Sequence, residues 1–199
     1  MNEFYYTGSP TSESRVQRFT LDYEGESYLF AYDNGVFSKG ELDDGTAYLL
    51  GALPPLHGRV LDLGCGWGPV GVILGRRYPE ISLVMSDVNE RALALAKDNL
   101  EANGVKNAET VLSDGLEKIE GRFDFIVTNP PIRAGKQVIY RMFDEAREHL
   151  MPGGSLYIVI RKQQGAPSAL KHLEEVYSEV SVIGKEKSFW VIRSIYQEQ

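Results

Sequence analysis

Val60-Leu61-Asp62-Leu63-Gly64-Cys65-Gly66-Trp67-Gly68 decides the fold. The apolar run Arg59–Leu63 ends in three glycines spaced one residue apart, and Pro69–Tyr78 then patterns as a helix stopped by Pro79. A strand that hands over to a helix through glycines is the first unit of an alternating α/β sheet. Glycines at such a turn permit a sharp reversal and let a ligand come close to the backbone.

Outward from the turn the alternation continues. Ile81–Ser86 is a second strand. Asn89–Asn103 is a helix: Asn89 can cap it, Ala92, Leu93, Leu95, Ala96 and Leu100 give an apolar stripe, and Gly104 follows its end. Ala108–Leu112 and Phe123–Thr128 are strands, and Lys136–Leu150 is a helix closed by Pro152-Gly153-Gly154. Ser155–Ile160 is a fifth strand and Ser168–Tyr177 a helix. Val180–Lys185 and Phe189–Ile195 flank a polar turn, Glu186-Lys187-Ser188, as a hairpin. The pattern predicts a Rossmann-like α/β fold: a mostly parallel seven-stranded sheet, covered on both faces, with a C-terminal antiparallel hairpin. Upstream, Val16–Asp22 and Ser27–Tyr32 pattern as a small hairpin turned at Glu24-Gly25, and Asp43–Leu53 as a helix ended by Pro54-Pro55. Residues 1–56 are too short to hold a core, so they are expected as an extension packed on a main domain of residues 57–199.

Two ligands compete for the glycine turn. Gly66, Gly68 and Gly71 satisfy GxGxxG, with Asp87 about 20 residues on, as a dinucleotide fingerprint requires. Counted from Gly64 the run is D-x-G-x-G-x-G, the spacing for S-adenosylmethionine. Asp62 favours the second, because its carboxylate repels a pyrophosphate but attracts an α-ammonium and a sulfonium. Asp87, at the end of the second strand, suits a pair of ribose hydroxyls. It could instead cap the next helix, but Asn89 can fill that role. Asp114, after the third strand, suits an adenine amino group or is a surface acid; the local sequence leaves both open.

Asn129-Pro130-Pro131-Ile132, directly after the fourth strand, is the most specific signal in the chain. Two prolines lock the backbone and remove two donors. What remains is a rigid edge of acceptors, the Asn129 side-chain oxygen and the Pro130 carbonyl. Such an edge holds both hydrogens of a substrate amine and turns its lone pair towards a sulfonium methyl for in-line displacement. Asn129 and Pro130 thus act catalytically by positioning and electrostatics, with no metal and no nucleophilic side chain.

Composition narrows the partners. The 199 residues contain no apolar run near the ~20 needed to span a membrane, and MNEFYYTGSP has neither the basic nor the apolar part of a secretory leader. One cysteine, Cys65, excludes an intrachain disulfide and a CxxC metal site. A cytoplasmic protein without membrane or metal partners is expected. Net charge is -7, but residues 1–121 hold 10 basic and 19 acidic side chains while residues 122–199 hold 11 and 9. The later segment can therefore present a basic face. Arg133, Lys136 and Arg141 follow the tetrapeptide and Arg161-Lys162 the fifth strand, beyond the carboxyl ends of the strands, where they flank the site and can hold phosphates. His57, His149 and His172 show no catalytic pattern, and Cys65, Trp67 and Trp190 are expected in packing.

The glycine turn together with Asn129-Pro130-Pro131-Ile132 resembles the amine-directed class I methyltransferases. The wider chain is similar to their RsmC-like small-domain group, which methylates the N2 amine of guanine in small-subunit (16S) ribosomal RNA. The likeness also rests on Gly35-Val36-Phe37-Ser38 with Asp43 and Gly45, on Arg133-Ala134-Gly135-Lys136 and on Gln164-Gly165-Ala166, so it covers residues 4–195. It implies S-adenosylmethionine contacts at Asp62, Gly64, Gly66, Gly68, Asp87, Asp114 and Asn129, with Asn129 also the ligand of the substrate amine. It implies that Phe37 and Ser38 lie near the pocket, and a substrate surface of Pro131, Ile132, Arg133, Lys136 and Phe37. The implied partner is ribosomal RNA or a partly assembled small subunit. Two departures stand out. Ile132 replaces the usual aromatic ring, leaving base stacking to Phe37, and longer members of the group carry a second, degenerate domain. A protein glutamine N5-methyltransferase uses the same acceptor edge and is the enzymatic rival. A S-adenosylmethionine-binding scaffold without transfer activity is the other, and the intact Asn129-Pro130-Pro131 argues against it.

Overall fold

The computed structural model describes residues 16–33 and 41–198. β1 (Val16–Tyr23) and β2 (Glu26–Asp33) form an antiparallel ribbon, closed by Glu24 and Gly25, both at positive φ (49° and 83°). Such two-residue turns match the twist of the strands they join. α1 (Asp44–Ala52) follows. The sheet domain then runs β3 (Arg59–Leu63), α2 (Pro69–Arg77), β4 (Ser82–Asp87), α3 (Glu90–Ala102), β5 (Ala108–Leu112) and β6 (Phe123–Thr128). It continues with α4 (Lys136–Glu148), β7 (Leu150–Arg161), α5 (Ala166–Val176), β8 (Glu179–Glu186) and β9 (Phe189–Ile195). The seven-stranded sheet has the order β5-β4-β3-β6-β7-β9-β8, parallel except where β9 meets β7 and β8. The predicted α/β architecture is the one observed.

One boundary differs. Pro152-Gly153-Gly154 does not end the helix before a new strand; it lies inside β7 as an irregularity, with Leu150 paired to Phe123 and Ser155 to Phe125. A side chain at Gly154 would meet the carbonyls of Met151 and Phe123 at 2.8 and 2.9 Å, so only glycine lets these backbones approach.

Period-two alternation splits the strands between two cores. Val60 of β3 joins Leu49, Ile73 and Ala96 on the face covered by α1, α2 and α3. Leu61 and Leu63 join Phe143 and Leu173 on the face covered by α4 and α5. The ribbon docks on α3 through two asparagines one helical turn apart. Asn99 accepts from the Ala31 amide (2.7 Å) and donates to its carbonyl (2.9 Å), and Asn103 does the same for Leu29 (3.0 and 2.7 Å). Two side-chain amides thus stand in for a neighbouring strand and satisfy the inner edge of β2. Asn99 also donates to the Trp67 carbonyl (2.8 Å), and the Trp67 ring meets Phe30 edge-on at 4.8 Å. The ribbon is therefore fastened directly to the glycine turn.

Candidate active site

The site lies at the carboxyl ends of β5, β4, β3 and β6. Sheet order reverses between β3 and β6, the switch point where open α/β sheets bind ligands. Three contacts fix its frame. The amides of Gly64 and Cys65 both donate to the Ser86 carbonyl (2.8 Å each). The Gly66 amide donates to Asp87 Oδ2 (2.8 Å). Thr128 Oγ1 donates to the Leu63 carbonyl (2.7 Å), which binds the end of β6 to the start of the turn. Asp87 thereby ends β4, and Gly64 and Asn129 follow the ends of the adjacent β3 and β6.

The glycines do different work. Gly64 is left-handed (φ 73°), and a Cβ there would meet no atom within 4 Å, so its backbone faces open space that a ligand can enter. Gly68 is also left-handed (φ 93°), but its Cβ would lie 3.0 Å from Ala96 Cβ and from Met85 Cε. Its amide donates to the Cys65 carbonyl (3.0 Å). At Gly68 the missing side chain thus permits close packing of α2 on α3 and β4.

Two carboxylates sit behind the turn. Asp62 is 2% exposed and accepts from the Gly71 amide (3.0 Å) through Oδ2. Burial, reinforced by the charge of Asp87, pushes its carboxyl up to about 7 against the opposing pull of that amide. Burial also raises Asp87, against the amides of Asn89, Gly66 and Val88. Asn89, not Asp87, caps α3, accepting from the Arg91 and Ala92 amides. Asp87 divides its oxygens, Oδ2 accepting from the Gly66 amide (2.8 Å) and Oδ1 from the Asn89 amide (2.9 Å). A pair of underneutralised acids beside an open glycine turn fits a cationic ligand with a ribose, and opposes a pyrophosphate. S-Adenosylmethionine fits these residues. Burial also lifts the Cys65 thiol well above its usual range, which keeps it protonated and unreactive.

Asn129 is exposed and Pro130 buried. The Asn129 Nδ2 donates to Thr46 Oγ1 (3.1 Å) and, at 3.4 Å, to Asp43 Oδ1. Among the described residues nothing donates to its Oδ1. The short 3-10 turn Ile132–Ala134 uses the carbonyls of Pro131 and Ile132, as acceptors from Ala134 and Gly135, and not that of Pro130. Asp43 and Thr46 carry no assigned role at the site in the sequence reading, where Asp43 enters only as a helix start and as one residue of the family likeness; it does cap α1, accepting from the Gly45 and Thr46 amides.

The predicted basic flank divides. Arg133 and Lys136 are exposed beside Asn129. Arg161 lies over the Phe189 ring (4.4 Å to the centroid), and Lys162 is exposed next to it. Arg141 does not belong with them. It pairs with Asp114 at 2.5 Å and lies near Glu117 and Glu145, so three acids already hold it. The same pairing engages Oδ1 of Asp114. Gly35, Val36, Phe37 and Ser38 lie outside the described residues. Among the described residues no three metal-ligating side chains converge, and no helix is long and apolar enough to cross a membrane.

Comparison with known proteins agrees with this geometry. The methyltransferase small-domain family matches residues 27–193. The chain is 41% identical to the uncharacterised protein YbxB of Bacillus subtilis, over 98% of each. It is 44% identical to the ribosomal RNA small subunit methyltransferase C of Pasteurella multocida, over 63% of this chain and 39% of that protein. In fold it is similar to the Thermus thermophilus 16S rRNA N2 G1207 methyltransferase solved with AdoMet and guanosine. The TM-score is 0.83 at 28% identity, over 95% of this chain and 52% of that one. The chain thus spans about half, or less, of the ribosomal RNA methyltransferases it matches.

Proposed function

The chain belongs to the methyltransferase small-domain family, and from that premise we propose that it methylates the N2 amine of a guanine in small-subunit ribosomal RNA, with S-adenosylmethionine as donor. The observation that carries this reading is the Asn129 amide, whose Nδ2 is taken up by Thr46 and Asp43 while, among the described residues, nothing donates to its Oδ1 or to the Pro130 carbonyl. Two fixed acceptors side by side match the two hydrogens of an exocyclic amine. When bound, S-adenosylmethionine supplies an electrophilic methyl group. Asp62, Gly64, Gly66 and Asp87 would hold it, and Asp114 would reach its adenine with Oδ2. Asn129 then orients the amine lone pair, which is most of what this reaction asks of a protein.

The substrate assignment follows from the relatives and from charge. The Pasteurella and Thermus proteins act, by name, on small-subunit ribosomal RNA. Arg133, Lys136, Arg161 and Lys162 flank Asn129 in a chain of net charge -7, which suits local docking of phosphates and not general coating of nucleic acid. A paired guanine hides its N2 amine, so an unpaired or flipped base in a loop or partly assembled cytoplasmic particle is the expected target. Ile132 would cover that base without the π face of an aromatic ring. The test is transfer of tritiated methyl from S-adenosylmethionine to ribosomal RNA and to ribosomal protein, followed by nucleoside and amino-acid analysis. Labelled N2-methylguanosine is the expected product. Label confined to a glutamine would move the chain to protein amide methylation, and label in neither fraction would leave a scaffold.

A further inference from the structure

The hydrogen bonds around Asn129 have a direction. A carboxylate only accepts, so the single hydroxyl hydrogen of Thr46 is committed to Asp43 Oδ2, at 2.5 Å. Thr46 Oγ1 therefore has only lone pairs to offer Asn129, and the Asn129 Nδ2 must be the donor at 3.1 Å. The second contact of Nδ2 is again to the carboxylate of Asp43, at 3.4 Å. Every partner on that side is an acceptor. The amide cannot turn over without setting its oxygen against two acceptors. Thr46 is 3% exposed, and no described residue other than Asp43 takes its hydrogen.

We propose that Asp43 and Thr46 are positioning residues that lock the Asn129 amide with its oxygen towards the substrate, and that the lock, not Asn129 alone, makes the site select an amine. The inference rests on the amine-methylation reading above and deepens it. A locked oxygen meets an amine hydrogen; a turned amide would present its own hydrogens to those of the amine. These contacts also put the Asp43 carboxylate behind the acceptor, reached directly at 3.4 Å and through Thr46. Positive charge grows on the amine nitrogen as its lone pair forms the new carbon–nitrogen bond, the methyl–sulfur bond breaks with its electron pair going to sulfur, and one amine proton then passes to water; a carboxylate on the far side of the acceptor favours that build-up of charge. Asp43 is fixed for the task because the start of α1 needs a cap in any case, with Oδ1 held by the Gly45 and Thr46 amides (3.0 and 3.1 Å).

Asp43→Asn is the discriminating variant. Its Oδ1 still caps α1, but an NH2 replaces Oδ2 and donates to Thr46. The threonine hydrogen is then released towards Asn129, so only the 3.4 Å contact with Oδ1 still holds the amide in its original sense. Relative to the parent, kcat is expected to fall about tenfold or more while KM for RNA and Kd for S-adenosylmethionine stay within about twofold. Thr46→Val should behave likewise, and Thr46→Ser should restore most of the rate. A readout that needs no substrate accompanies the kinetics: hydrogen exchange of the Asn129 side-chain amide by NMR. It should be slow in the parent and in Thr46→Ser, and fast in Thr46→Val. If the parent modifies glutamine and not guanine, the substrate reading fails, but the same ordering of variants is expected on glutamine. A Thr46→Val protein with parental kcat and slow Asn129 exchange would overturn the lock. So would equal losses in Thr46→Val and Thr46→Ser that follow melting temperature, since that marks a purely structural threonine.

Discussion

At the glycine turn, Asp62 is buried and Asp87 half-buried, and burial holds both carboxyls above their usual range. Across the sheet switch point, Asp43 is partly exposed and holds the Gly45, Thr46 and Asn129 groups with its two oxygens. The first half stores an electrostatic deficit that a cation relieves, so it is built to bind. The hydrogen bonds of the second half fix the sense of the Asn129 amide, so it is built to orient. Substitutions in the two halves should therefore damage different quantities.

The largest effect is expected at the orienting half. Asn129→Ala should lower methyl transfer by about two orders of magnitude or more while calorimetric affinity for S-adenosylmethionine is retained. Parallel loss of both would merge the two halves and reassign Asn129 to the cofactor. At the binding half, Asp87→Ala should weaken S-adenosylmethionine by about 10- to 100-fold, the scale of hydrogen bonds to a charged acceptor. NAD should not bind measurably to either protein, and tighter binding of NAD than of S-adenosylmethionine would sink the reading of the turn.

The third effect is smaller and depends on pH. Asp62 titrates near 7 in the free protein, and a bound cation favours its ionised form. Affinity should therefore rise with pH up to about 7 and level off above it, falling at most about tenfold per pH unit below, with proton release on binding near neutrality. Asp62→Asn should flatten the profile. The same raised carboxyl carries a stability cost. The folded chain holds a proton there that the unfolded chain gives up above about pH 4, so the free protein loses stability as pH rises from there through about 7. Asp62→Asn should thus melt higher than the parent at alkaline pH while binding S-adenosylmethionine less well. A parental pH profile in that variant would remove Asp62 from the binding half.

What the sequence determined by itself is the alternating sheet, the glycine turn and the Asn129-Pro130-Pro131 edge. Each is written within a few consecutive residues, where strand period, helix caps and the fixed φ of proline act locally. Even there, tertiary packing gave particular residues partners that the sequence does not show. Gly68 has the spacing of a ligand glycine, yet the space it leaves is filled by Ala96 and Met85. Arg141 looks like a phosphate ligand until Asp114, Glu117 and Glu145 come round it. Pro152-Gly153-Gly154 looks like a break until β6 and β9 pair across it. What only the tertiary structure decided is the lock on Asn129 and the docking of the ribbon. Thr46 precedes Asn129 by 83 residues and Asp43 by 86, and Asn99 follows Ala31 by 68. Asparagine, threonine and aspartate take hydrogen bonds from almost any neighbour, so their identity in the sequence carries no record of the partner. That partner is chosen when α1 packs across β7 and β9 and brings its capped end to the end of β6.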